Sequence, residues 1–249
     1  MVTDGVVGAL ALVGSGEYLP VMEPVEAALL TEGIRRGKRN TFIQIPTAAG
    51  RESVDRLAYW RQIGLEQANR LATEQVFLPV YSREDAFNLE HAKAIDEAGL
   101  IYLSGGDPGY LAQALAGTPV WAAIERNWRF GSSLAGCSAG AMAMGSDVPN
   151  FRKMKEEGQP GLSIISHIRT IPHYNKFFGW IPDGAAKVML KAPEGTIIIG
   201  IDEGTALVTG LEPESSFENR TWSVHGVGGV HILRGAPTHR YQSGDRISL

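Results

Sequence analysis

Short apolar runs alternate with longer helical stretches from Val6 to Ala135, and this alternation constrains the fold more than any other feature of the chain. Val6 to Val13, Thr41 to Ile45, Gln75 to Val80, Leu100 to Leu103 and Ser132 to Ala135 read as buried strands. Between them, Pro24 to Gly33, Ser53 to Thr73, Asn88 to Ala98 and Gly109 to about Asn127 carry helical patterns. Strands joined by helices of that length pair in parallel through right-handed crossovers, and ligands gather at their carboxyl ends. The expected class is α/β, with a mostly parallel sheet flanked by helices.

The second half is less regular. Met144 to Leu162 mixes charge, Pro and Gly and reads as a surface excursion, which Gly158 and Gly161 would let move as a lid. Ser163 to Pro172 and Thr196 to Ile201 read as strands, and Thr221 to Leu233 as a terminal antiparallel pair. No repeat or linker divides the chain, so residues 1–249 are expected to form one domain. A chain of this length buries a core without disulfides or a structural metal. The single cysteine, Cys137, has no partner for an internal bridge and fits a reducing compartment. Ahead of the first apolar run the only charged side chain is Asp4, and the first basic residue is Arg35, which argues against a secretory signal. No run reaches the roughly eighteen apolar residues of a membrane span. A cytoplasmic chain with no membrane or nucleic-acid partner is expected, the latter because the net charge is −4 and no basic stripe occurs.

Gly136-Cys137-Ser138-Ala139-Gly140 fits the G-x-S-x-G pattern, with an apolar strand before it and an Ala-rich stretch after it. A nucleophile on such a turn sits in strained backbone, so its flanks must be nearly free of side chain. The reading is a serine hydrolase with Ser138 as nucleophile and the Ala139 amide facing a developing oxyanion. The competing reading is a Gly/Ala-rich helix start that Ser138 caps. Cys137 stands beside the centre of the motif and reads as a buried, inert thiol.

A serine hydroxyl needs a base, and the base needs an orienting group. Of the six histidines, His91 lies among charged residues on a helix. His173 follows the run Ser163 to Pro172, where it suits a residue aimed into a cleft, and His167 in the middle of that run is its competitor. For the acid, Gly200-Ile201-Asp202-Glu203-Gly204-Thr205 sets two carboxylates after an Ile-rich strand, and extended backbone lets only one of them face the site.

Taken together, Ile45-Pro46-Thr47-Ala48, Ser104-Gly105-Gly106-Asp107, the Ser138 motif, Pro172-His173-Tyr174 and Gly200 to Ala206 resemble, in this order, peptidase family S51, which comprises aspartyl dipeptidase (peptidase E) and cyanophycinase. The resemblance implies a fold similar to class I glutamine amidotransferases (flavodoxin-like) and a triad of Ser138, His173 and Glu203. It also implies an oxyanion hole from the amides of Gly106 and Ala139. Asp107, Tyr174 and Asn175, next to these motifs, are candidate substrate-binding residues. A small peptide is the implied substrate, no cofactor or metal is implied, and family habit suggests a homodimer.

Two departures point away from cyanophycin as substrate. Pro108-Gly109 stands where cyanophycinases typically carry Gln, and Asn175-Lys176-Phe177-Phe178 where they usually show arginines. A pocket for an N-terminal Asp needs a cation; Lys176 and Arg152 are the candidates, with a surface role favoured for Lys176. The expected activity is that of an exopeptidase or dipeptidase acting through an acyl-enzyme. The alternatives are a non-catalytic ligand-binding protein of the same fold and an esterase or amidase, in which Glu203 would pair with His225, His231 or His239. A glutaminase would normally place Cys where Ser138 stands. No H-E-x-x-H, C-x-x-C or Walker loop occurs, and Gly14-Ser15-Gly16 lacks the third glycine of a dinucleotide turn.

Overall fold

The computed structural model describes residues 7–149, 158–176, 192–211 and 221–249. In chain order the first half holds β1 (Leu10–Val13), α1 (Glu23–Arg35), β2 (Arg39–Ile45), α2 (Val54–Arg70), β3 (Glu74–Phe77), α3 (Leu89–Ala94), β4 (Ala98–Leu103), α4 (Pro108–Leu115), α5 (Pro119–Arg129), β5 (Ser133–Cys137) and α6 (Ala139–Ala143). The second half holds β6 (Asp147–Val148), β7 (Gln159–Pro160), β8 (Ile168–Ile171), β9 (Ile197–Ile201), β10 (Thr205–Thr209), β11 (Thr221–Gly226), β12 (Gly229–Arg234), β13 (His239–Gln242) and β14 (Arg246–Ser248).

The main sheet runs β14-β11-β10-β1-β5-β4-β2-β3. Its five strands from β1 to β3 are all parallel, and β10, β11 and β14 extend it in antiparallel fashion. Strands β1, β4 and β5 are buried at every residue, which is why they read as unbroken apolar runs. Alternation still sorts their side chains. Leu10 and Leu12 face a core shared with α3 to α6 and the second sheet, while Ala11 and Val13 face the core under α1 and α2. A second sheet, β13-β12-β9-β8, packs its Ile199, Ile201, Val230 and Ile232 into the first of these cores. The architecture is thus a mostly parallel α/β sheet between helices, as the alternation implied.

The register brings Val13 opposite Cys137 and Leu103 opposite Gly136, so β1, β4 and β5 end at one edge. The loops that begin at Gly14, Ser104 and Ser138 therefore open side by side.

Several local expectations need correction. The first strand starts at Leu10, the helix expected over Asn88 to Ala98 stops at Ala94, and Ala98 already belongs to β4. The single helix expected from Gly109 to Asn127 is two, because Gly117 takes a φ of +69° and Thr118 caps a new helix through the Trp121 amide (3.2 Å). Of Ser163 to Pro172 only Ile168–Ile171 is strand. Thr221 to Leu233 contains two strands, but they do not pair with each other: β11 joins the main sheet and β12 the second. Asp202 directs that split. Its amide donates to the Gly229 carbonyl (3.0 Å) and its Oδ2 accepts the Gly229 amide (2.9 Å), drawing β12 onto β9. Met144, Val148 and Leu162 are buried in the core, so the ends of the expected excursion are structural; the middle of that expected lid, 150–157, lies outside the described residues. No helix among the described residues is long and apolar enough to cross a membrane.

Glu26 on α1 is buried, accepting the Tyr18 amide (3.1 Å) and the Gln67 side-chain amide. Burial pushes its carboxyl up from 4.5 to about 8. The folded chain then keeps a proton that the unfolded chain releases, so this group's contribution to stability declines as pH rises from about 4.5 towards about 8. Glu26→Gln cannot ionise. The stability difference between the variant and wild type, from urea unfolding, is expected to move in the variant's favour over that window by up to about 1.4 kcal/mol per pH unit. A difference that stays constant with pH would contradict a protonated Glu26.

Candidate active site

Ser138 stands between β5 and α6 with φ 49° and ψ −104°, a conformation that costs about 1–3 kcal/mol for a residue with a side chain. The surroundings impose it. The Ser138 amide donates to the Val13 carbonyl (2.9 Å), and the Met142 amide donates to the Ser138 carbonyl (3.0 Å). A Cβ on Gly136 would lie 2.6 Å from the Gly140 carbonyl carbon, and one on Gly140 would lie 2.4 Å from the Leu103 carbonyl oxygen. Both flanks of the motif are glycine because backbone occupies the space a side chain would need. Helix α6 is only five residues long, so it supplies free first-turn amides rather than a long macrodipole.

His173, also in left-handed backbone (φ 51°), brings Nε2 to 3.1 Å from Ser138 Oγ. Its Nδ1 lies 3.0 Å from Glu203 Oε1. The other oxygen, Oε2, meets Lys176 Nζ at 2.6 Å. Lys176 first, then His173, holds the Glu203 carboxyl below its usual range against partial desolvation. The His173 and Glu203 side chains are 33% and 29% exposed, which leaves the array open to a ligand.

Asp202 faces the other way, as alternation requires. It is buried and its Oδ1 lies 3.1 Å from His231 Nε2. Tyr174 packs its ring on Gly200 and against His231 (4.6 Å between ring centres), at the face of the second sheet. Asn175 Oδ1 accepts the Glu203 amide (3.1 Å), fixing the acid's backbone. The other histidines lie apart from Glu203: His91 bonds the Asp85 carbonyl, His225 bonds Ser223, His239 stacks on Tyr241, and His167 is exposed ahead of β8. Cys137 is buried with its thiol donating to Glu17 Oε2 (2.8 Å). Arg152 lies outside the described residues.

Gly106, at φ +139°, has no room for a side chain: a Cβ would lie 2.4 Å from the Ala48 carbonyl oxygen. A Cβ on Gly105 would lie 3.7 Å from Ser138 Cβ, so the loop after β4 runs directly beside the Ser138 turn. Gly106 also forms part of the wall of a cavity of about 770 Å³, with Ala48, Arg51, Glu52, Asp107 and Tyr110. Asp107 Oδ1 caps α4 through the Tyr110 amide (3.0 Å). The Arg51 guanidinium lies 3.9 Å over the Tyr110 ring, and the Tyr110 hydroxyl donates to the Tyr81 carbonyl (2.8 Å). Sequence reasoning missed Arg51, Tyr110 and the pairing of Lys176 with Glu203. Arg51 was findable, since it stands three residues beyond the Ile45-Pro46-Thr47-Ala48 motif at the end of β2. Among the described residues no group of three or more His, Cys, Asp or Glu side chains could hold a metal ion.

The model of peptidase family S51 matches residues 10–212. Cyanophycinases of Trichormus variabilis and a Nostoc species are each 26% identical over 214 residues, covering 80% of this chain and 65% of their own length. The chain thus spans less than two thirds of these curated relatives. The crystal structure of a peptidase from an acI-B1 actinobacterium superposes with a TM-score of 0.93 at 51% identity, covering 99% of both chains. A putative peptidase E from Listeria monocytogenes shares the fold alone, with a TM-score of 0.58 at 19% identity over 81% of this chain and 94% of its own.

Gly140→Ala is expected to destabilise the fold by about 1–3 kcal/mol in urea unfolding, because backbone has to move to admit the methyl group. Lys176→Met should act through Glu203. A depressed carboxyl contributes stability that is present above its unfolded value of 4.5 and lost as pH falls through the folded value. The pair is exposed, so the expected loss at neutral pH is only about 0.2–1 kcal/mol. It should vanish in acid, where wild type and variant melt alike.

Proposed function

Because the chain belongs to peptidase family S51, we propose that it is a serine-type exopeptidase that cleaves short peptides through an acyl-enzyme. The observation that carries this reading is the unbroken contact from Ser138 Oγ to His173 (3.1 Å) and from His173 to Glu203 (3.0 Å), drawn from three separate loops. Ser138 Oγ attacks the scissile carbonyl carbon as His173 Nε2 takes its proton. Glu203, kept ionised by Lys176 and His173, holds Nδ1–H and stabilises the imidazolium. The tetrahedral oxyanion is met by the amides of Gly106 and Ala139, each worth about 10²–10³ in rate. His173 then passes the proton to the leaving amine, and a water activated by the same nitrogen releases the acyl group.

A cavity of about 770 Å³ beside Gly106 suits a substrate of a few residues. Arg51, ordered on Tyr110 (3.9 Å), offers that substrate's carboxylate a cation. Asp107 stays a substrate contact in this reading through its place on the same wall.

Turnover of a dipeptide and tripeptide panel with Asp-X, β-aspartyl and neutral N-termini, read by mass spectrometry, tests the proposal. Wild type is expected to cleave some members, and Ser138→Ala to fall by about 10⁴-fold or more. Equal cleavage by both removes Ser138 from the role of nucleophile. Silence from both rejects short peptides and favours an ester, an amide or a binding role.

A further inference from the structure

Glu17 is a buried carboxylate, 7% exposed, to which the reaction outlined above gives no part. It lies in the loop between β1 and α1 and bridges the loop after β4 to the last residue of β5. Its Oε1 accepts the Gly105 amide (2.9 Å) and its Oε2 accepts the Cys137 thiol (2.8 Å). Gly105 directly precedes Gly106, and Cys137 directly precedes Ser138. One side chain therefore holds the residue ahead of each half of the site.

The loop that carries Glu17 is itself fixed. Tyr18 sits in left-handed backbone (φ 64°). Its amide donates to Glu26 (3.1 Å), its hydroxyl shares a hydrogen bond with Ser104 Oγ (2.8 Å), and its carbonyl accepts from Arg70 (2.7 Å). Ser104 begins the Gly105-Gly106 loop, so Tyr18 braces the same segment that Glu17 holds. Burial, and then the neighbouring Glu17, pushes the Cys137 thiol well up, so the sulfur keeps its proton and acts as a donor.

One buried side chain accepts from the Gly105 backbone amide and from the Cys137 thiol, and so ties two segments together at once. The geometry points to Glu17 as the positioning residue of the oxyanion hole, fastening the loop of Gly106 to the strand end of Ser138 so that donor amides and nucleophile keep one relation. This inference rests on the serine-hydrolase reading of Ser138.

The test is phosphonylation by a fluorophosphonate, whose phosphorus bonds Ser138 Oγ as fluoride leaves and His173 takes the hydroxyl proton. Site occupancy is mapped by mass spectrometry, and kinact and KI are measured separately for wild type, Glu17→Gln, Glu17→Ala, Cys137→Ala and Ser138→Ala. Glu17→Gln keeps an acceptor for Gly105 and should lower kinact by about 10-fold. Glu17→Ala removes both contacts and should lower it by about 10²-fold or more, in line with loss of an oxyanion donor. Cys137→Ala leaves the Gly105 contact intact but unfastens the strand end, so it should lower kinact by about 10-fold, less than Glu17→Ala. KI, which reports binding before reaction, should hardly change. If Glu17→Ala does not fold, Glu17→Gln decides alone. Unchanged kinact in a folded Glu17 variant, or a loss confined to KI, overturns the positioning role while leaving Ser138 as nucleophile. Wild type that labels no better than Ser138→Ala overturns the serine-hydrolase reading, and the inference falls with it.

Discussion

The backbone of Ser138 is held where a side-chain-bearing residue does not rest unaided, at φ 49° and ψ −104°. Nothing in the serine itself favours that geometry; the sheet enforces it from three sides. Strand β1 takes the serine's amide on the Val13 carbonyl, β4 presses the Leu103 carbonyl against Gly140, and Gly136 meets Gly140 across the turn. Parallel pairing is what brings these strand ends to one edge, so the architecture and the Ser138 turn are one constraint. Strain of this kind persists only where the surroundings over-determine it.

The end of β1 ties in the remaining loops as well. The Ser15 carbonyl accepts the Gly204 amide (3.2 Å), and Gly14 lies so close under Asp202 that a Cβ would sit 2.2 Å from its carbonyl oxygen. The acid loop is thereby referenced to the strand that also positions Ser138. Within that loop the two adjacent carboxylates divide their tasks by alternation. Asp202 turns inward, bonding His231 and the Gly229 amide and steering β12 into the second sheet. Glu203 turns outward to His173 and Lys176. The buried carboxylate builds the scaffold, and its half-buried neighbour meets His173.

Much of this was legible in the residues alone. The apolar runs of β1, β4 and β5 announced a parallel sheet because strands buried on both faces leave no polar alternation. The glycines at 136 and 140 announced a crowded turn, and the steric contacts explain them atom by atom. The choice of His173 and Glu203 over His167 and Asp202 came from family resemblance, since extended backbone alone permits either carboxylate. What stayed illegible was non-local. The partition of β11 and β12 depends on Asp202, which is distant in sequence from both strands. Glu17 meets Gly105 and Cys137 across separations of 88 and 120 residues, which no periodicity encodes. Lys176 looked like a solvated surface residue, and its 61% exposure agrees, yet its ammonium contacts the carboxylate that meets His173.

Direct observation of the covalent intermediate bears most closely on this arrangement. Purified protein is mixed with p-nitrophenyl acetate, quenched in acid during turnover, digested and analysed by mass spectrometry. If Ser138 is the nucleophile activated by His173 and Glu203, the acetyl group appears on the peptide that carries Ser138, on the serine itself, with a p-nitrophenol burst approaching one per chain. Hydrolysis that proceeds with the acetyl group on Cys137 or on a histidine, or unchanged in Ser138→Ala, would contradict it.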